Sequence, residues 1–194
     1  MGKIYCLMGK SASGKDTVYR HLLSDEALGL KKIVPYTTRP IRANEKDGVQ
    51  YYFTDAAGLD KLTKEGKVIE SRAYNTVHGV WHYFTVNDHQ INLVSNDYMI
   101  IGTPEAFVKL KDYFGKDVVV PIYIELDDGV RLSRALGRER KQEEPKYEEM
   151  CRRFLADQED FSEDNLKAAE ITNRFSNENL EECVGKIKDF ILEG

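Results

Sequence analysis

Two groups of residues in this chain have types and spacings suited to chemistry on phosphate. The first is Gly9-Lys10-Ser11-Ala12-Ser13-Gly14-Lys15, which fits the pattern G-x4-G-K. Glycines at its ends let successive backbone N–H groups curl round phosphate oxygens, and Lys15 reaches the outer phosphates of a nucleoside triphosphate. A helix starting there aims its positive N-terminal end at the same anion. The following position, where a Ser or Thr hydroxyl normally ligates Mg2+, is Asp16, with Thr17 next. A carboxylate is a good oxygen ligand for Mg2+, so Asp16 and Thr17 are the expected metal residues, although Asp caps helices equally well. The second group is Arg39, Arg42, Glu45 and Tyr51. Two arginines three apart and near a tyrosine suit a monophosphate gripped by charge-assisted hydrogen bonds. Surface salt bridging is the plain alternative.

The elements that must position these groups alternate strand and helix. Lys3–Met8 is an apolar run ending at Gly9, as a buried parallel strand should. A helix follows from about Asp16 to Leu28, with Val18, Leu22 and Leu23 on one face. Further strands are expected at Tyr98–Ile101 and Val118–Ile124, each leading into a helix, near Glu105–Tyr113 and Gly129–Arg140. Longer amphipathic helices follow at about Tyr147–Phe161 and Leu180–Leu192. This alternation predicts an α/β fold with an open, mostly parallel sheet covered by helices. Residues 33–90 break the rhythm with short β segments and one helix near Ala56–Glu65, as an inserted mixed lobe would. Residues 138–147, almost wholly polar and containing Pro145, read as a mobile lid or a solvated loop.

Composition narrows the class. A length of 194 residues suits one domain, with a core at 1–34 and 91–194 and an inserted lobe at 35–90. The net charge of −5 argues against a general nucleic-acid binder. No apolar run approaches the roughly 18 residues a membrane helix needs. No signal peptide is visible, and three scattered cysteines read as reduced thiols, so a cytoplasmic protein is expected.

The stretch TTRPIRANEKDGVQYYF, residues 37–53, strongly resembles the TTR-x-x-R-x-x-E-x-x-G-x-x-Y signature of guanylate kinases. The resemblance runs from the Gly9–Lys15 loop to the last helix. It implies a three-layer P-loop sandwich with a parallel central sheet, an inserted GMP-binding lobe and a lid. It also implies transfer of the γ-phosphoryl group of ATP to GMP, with Mg2+, by a monomer or homodimer. By this resemblance Arg39, Arg42 and Tyr51 hold the acceptor phosphate and Glu45 supports them. Glu70 accepts from the guanine N–H edge, with Thr38 assisting. A carboxylate accepts from two adjacent donors and cannot donate, which suits guanine and rejects adenine.

The resemblance departs in three places. Pro35 stands at a base-contacting serine, and after two extra residues His82 falls at a phosphate-binding tyrosine and Phe84 at a base-contacting hydroxyl. The family's D-x-D at the end of the strand 98–101 is replaced by Ile101-Gly102-Thr103, and Asp16 is the expected substitute carboxylate. Arg134 and Arg138 resemble the arginines entering the lid, and Arg152-Arg153 resembles the basic pair on the next helix. Arg138 and Arg153 are expected to stabilise the moving phosphoryl group, with Arg134 in support. Asn177 resembles a residue beside the adenine. Two other readings stay open: a kinase of another nucleotide or of ribose 1,5-bisphosphate, and a binding module of the same fold with weak or no turnover.

Overall fold

The computed structural model describes residues 1–42, 45–76 and 79–194. Its first half contains β1 (Ile4–Gly9), α1 (Lys15–Ser24), β2 (Lys31–Lys32), β3 (Tyr36–Thr37) and β4 (Tyr52–Phe53). Then come α2 (Ala56–Lys64), β5 (Val68–Thr76), β6 (Gly79–Val86), β7 (Tyr98–Ile101) and α3 (Pro104–Phe114). The chain continues with β8 (Val119–Glu125), α4 (Asp128–Glu139), α5 (Tyr147–Asp160), α6 (Glu163–Ala168), β9 (Arg174–Ser176) and α7 (Leu180–Glu193).

Five strands form the main sheet in the order β2-β7-β1-β8-β9, with every pairing parallel. β1 is central and buried on both faces, which is why its sequence is apolar throughout instead of alternating. Ile4, Cys6 and Met8 pack with Ile100, Phe107 and Leu110 on one face. Tyr5 and Leu7 pack with Val18, Leu22 and Ile187 on the other. Both strands flanking β1 thus deliver their C-terminal ends to the level of Gly9, the edge where parallel sheets bind ligands.

The second sheet, in the order β4-β3-β6-β5, is mixed, and its long hairpin β5–β6 faces α3. A register irregularity between Val68 and Glu70 sets Glu70 opposite Thr85 and Arg72 opposite Tyr83. α1 stops four residues short of the expected end. The Asp25 backbone turns extended there, and its side chain accepts from the Ala27 N–H, an alternative that competes with helix. The strands β2 and β9 and the helix α6 were not expected; at two, three and six residues they are too short for periodicity to register. α4 extends to Glu139, so Arg138 is helical and only residues 140–146 form the link to α5.

Candidate active site

The loop between β1 and α1 is shaped by close approach. A Cβ at Gly9 would stand 2.8 Å from Ser13 Oγ and 3.0 Å from the Ile124 carbonyl. Gly14, at φ +88°, caps α1 in a left-handed conformation and packs against the Asn177 amide, so glycine is required on both counts. Ala12 takes φ +62°, a strained setting for a residue with a Cβ. The Asn177 Nδ2 donates to the Ser13 carbonyl at 2.7 Å and so buttresses the loop. Among the described residues, Ser13 Oγ and Asn177 Oδ1 are both buried without a hydrogen-bond partner. Buried polar atoms are nearly always paired, and two orphans at one loop fit a site completed by a ligand. Lys15 lies 3.9 Å from the exposed Asp16 carboxylate, and Arg134 Nη1 approaches the Gly14 position.

The rest of the loop is tied to α4 and α5 by residues the sequence did not single out. The Ser11 N–H donates to Asp157 Oδ2 at 2.7 Å, and Lys10 donates to Gln158. Arg131, 1% exposed, donates to the Ser11 carbonyl at 2.8 Å and to Asp128 at 2.6 Å, with its guanidinium over the Phe154 ring. Burial raises the Asp128 pKa, but hydrogen bonds from Gln158 and Arg131 outweigh it and hold the carboxyl below its ordinary value. Within V-R-L-S-R-A-L-G-R, nothing separates a buried Arg131 from its solvated neighbours.

At the acceptor end, Arg39 is almost fully buried and forms a two-pronged ion pair with Glu45, at 2.7 and 2.5 Å. Its guanidinium lies over the rings of Tyr51 and Phe53. The Arg39 hydrogen bonds hold the Glu45 pKa low, against the effect of burial. Glu45 also accepts from the Arg42 backbone N–H at 2.9 Å, which leaves the Arg42 side chain exposed at the rim. Burial and the neighbouring Tyr83 raise the Tyr51 pKa, against Arg39 and Arg72, and the Asp16 charge from the α1 side adds to the rise. Tyr51 therefore stays a neutral hydrogen-bond donor.

The structure corrects the alignment of β6. Tyr83, not His82, packs edge-on against Tyr51 at 5.5 Å and lies close enough to Arg39 to help raise its pKa, after the larger effect of Glu45. His82 contributes its backbone, whose N–H donates to Thr38 Oγ1 and whose carbonyl accepts from the Thr38 N–H. The Thr38 hydroxyl is thus a strand tie. Phe84 is buried and stacks on Tyr36. Strand alternation puts Thr85 on the Tyr83 face, and its hydroxyl donates to Glu70 Oε1 at 2.7 Å. A hydroxyl thus faces Glu70 one residue after Phe84. Placing the apolar Phe84 inward would have identified Tyr83 and Thr85 from the sequence.

Glu70 is buried, and Arg72 Nε donates to it at 3.0 Å. At the end of β7, a Cβ on Gly102 would stand 2.7 Å from Cys6 Sγ, so Cys6 fills the space a side chain there would need. On the lid side, Arg134 and Arg138 are exposed on α4. Arg152 and Arg153 both pair with Glu149 at 2.7 Å, and these bonds, Arg152 first, bring Glu149 to a pKa of about 2 against the effect of burial.

Comparison with known proteins is consistent along the chain. The family model described as guanylate kinase matches residues 1–100. A guanylate kinase from Mycoplasma mobile is 32% identical across 98% of this chain and 92% of its own length. Another from Rhodopseudomonas palustris is 35% identical across 62% of this chain and 44% of its own length. Among solved structures, the guanylate kinase from Anaplasma phagocytophilum superposes with a TM-score of 0.67 over 99% of this chain and 85% of that one. Its 23% identity speaks to the fold alone.

Proposed function

The chain belongs to the guanylate kinase family, and from that premise we propose that it transfers the γ-phosphoryl group of ATP to GMP, giving ADP and GDP. The observation that carries this reading is the Arg39–Glu45 ion pair beneath Tyr51 and Tyr83, in a chain whose first strand and helix enclose the Gly9–Lys15 phosphate loop. In the transfer, a GMP phosphate oxygen bonds to the γ-phosphorus as the bond from that phosphorus to ADP breaks, without a covalent enzyme intermediate. Lys15 and the loop N–H groups hold the donor phosphates, while Tyr51, Tyr83 and the rim Arg42 orient the acceptor. Glu45 keeps Arg39 charged and fixed beneath them. Glu70 and Thr85 receive the base. Asn177, with its unpaired Oδ1, offers an acceptor to the adenine amino group of ATP.

The residues present fit Mg2+ in its usual manner, which takes one or two carboxylates, substrate phosphates and several waters. Asp16, 75% exposed beside Lys15, with the Thr17 hydroxyl adjacent, is such a carboxylate. When bound, the ion neutralises phosphate charge. Asp16→Ala should raise the Mg2+ concentration for half-maximal turnover; an unchanged requirement would remove Asp16 from this role. The link at residues 140–146 acts as the lid hinge, bringing Arg138 at the end of α4 and Arg153 on α5 over the transferring group with Arg134 in support. Exposed ion pairs contribute only about 0–1 kcal/mol, so Glu149 releases Arg153 easily. Closure also excludes water as a competing acceptor. Among the described residues no helix is long and apolar enough to cross a membrane, and the three cysteines are free thiols. Both fit the cytoplasm as the site of action.

A coupled ADP-release assay with ATP and Mg2+ tests the reading, comparing GMP with AMP, CMP, UMP, IMP and ribose 1,5-bisphosphate. Turnover with GMP well above AMP and the pyrimidines is the expected result. Turnover only with the sugar bisphosphate, or nucleotide binding without turnover, would overturn it.

A further inference from the structure

Arg72 has no part in the reading above, yet it sits at its centre. On β5 it lies two residues beyond Glu70 and directly across from Tyr83, between the base end and the phosphate end of the acceptor site. Its side chain is 12% exposed and that of Glu70 is 1% exposed. Among the described residues, Arg72 makes one close bond, from Nε to Glu70 Oε2 at 3.0 Å. Its outer nitrogens are held at longer range, Nη2 by Glu70 Oε1 and Nη1 by Thr103 Oγ1, both at 3.5 Å, with the Tyr74 side chain also beside the guanidinium. Cys6 lies close by and offers no counter-charge, because burial pushes its thiol up to about 12. Burial works against the Arg72 charge, but the Glu70 carboxylate beside it outweighs that effect and keeps the guanidinium protonated.

We infer that Arg72 is a specificity-determining residue: it donates from an outer nitrogen to the 6-oxo oxygen of the incoming purine, while Glu70 accepts from the adjacent N1–H. This rests on the function proposed above. The chemistry follows from the pairing of one donor with one acceptor. Guanine and hypoxanthine present an acceptor at O6 beside a donor at N1, matching Arg72 and Glu70 in order. Adenine presents a donor at its 6-amino group beside an acceptor at N1, and so opposes both. A loosely bonded guanidinium nitrogen in a nearly dry pocket gains most from a carbonyl oxygen, since each partner is otherwise under-satisfied. Glu70 alone, already accepting from Thr85 and Arg72, has no donor to offer a 6-oxo group.

The test measures steady-state kinetics at saturating ATP, and equilibrium binding, of GMP, IMP and AMP to the wild type, Arg72→Met and Arg72→Lys. Arg72→Met should raise KM for GMP and IMP alike by roughly 10- to 100-fold. Its kcat should stay within about threefold, with KM for ATP unmoved and AMP activity equal to or above that of the wild type. Arg72→Lys, which keeps a charge beside Glu70, should recover part of the loss. If Arg72→Met does not fold, as judged by melting and ATP binding, the Lys variant carries the test through a several-fold rise for GMP and IMP but not AMP. A fall in kcat shared by all acceptors with KM unchanged, or no change in either folded variant, would overturn the inference alone. A wild type that neither binds nor phosphorylates GMP would overturn the proposed function and this inference with it.

Discussion

The two ends of the cleft are built on different principles. The donor end is a short run of backbone, Gly9 to Lys15, bent by two glycines and a strained Ala12 between the central strand and its helix. The acceptor end is made of side chains from separate segments: Arg39 and Glu45 after β3, Tyr51 before β4, Glu70 and Arg72 on β5, Tyr83 and Thr85 on β6. Backbone geometry is set locally and is robust to changes elsewhere. A cluster of partnered charges depends on every strand keeping its register. The donor end should therefore lose function without losing stability, whereas the acceptor end should lose both.

The largest effect expected from that contrast is at Glu45. Glu45→Ala leaves Arg39 buried without its partner, which should destabilise the fold by about 3–5 kcal/mol in denaturant unfolding and raise KM for GMP. An unfolding midpoint equal to that of the wild type would break the comparison. Next is Lys15→Met, whose contact with Asp16 is exposed and long. Turnover should fall by about 10²–10³-fold with the melting temperature unmoved. A smaller effect separates neighbours on β6. Tyr83→Phe and Thr85→Val should each raise KM for GMP by roughly 10- to 150-fold, the equivalent of one hydrogen bond to a charged group. His82→Ala should leave it within about twofold, and a larger effect at His82 would restore the alignment the structure displaces.

The smallest effect is in the pH dependence of stability. The folded-state pKa of Glu45 lies below its unfolded value, so its contribution is complete above the unfolded pKa and is lost as pH falls through the folded one. Wild-type melting temperature should fall as pH drops from about 5 toward 3. Glu45→Gln should flatten that slope over the same interval. Parallel curves for the two proteins would show that the acid sensitivity lies elsewhere.

These contrasts also explain what could be read before the structure. β1, the loop and α3 announce themselves because their constraints are contiguous: an unbroken apolar run, two fixed glycines, and Thr103-Pro104 as a helix cap and first turn. The signature from Thr37 to Tyr51 was likewise legible as a unit. What escaped depends on which way a strand faces. The alternation of β6 about the buried Phe84 decides which of its residues face Tyr51 and Glu70, and alignment by motif spacing overrides that alternation. Hence His82 and Phe84 were exchanged for Tyr83 and Thr85. Arg72 and Arg131 escaped for another reason: arginine is usually solvated, and only the surrounding carboxylates make its burial tolerable.

The amide of Asn177 and the carbonyl of Ser13 meet across 164 residues of chain. During synthesis, β1 and the loop emerge early, but the buttress that steadies the loop arrives only after β8 and β9 have been made. A nascent chain halted before residue 177 thus displays the full G-x4-G-K sequence on a loop still missing a wall. Nucleotide retention by ribosome-bound chains of increasing length should rise late, once Asn177 has cleared the exit tunnel, and ATP then acts as a late-stage clamp on the finished sheet.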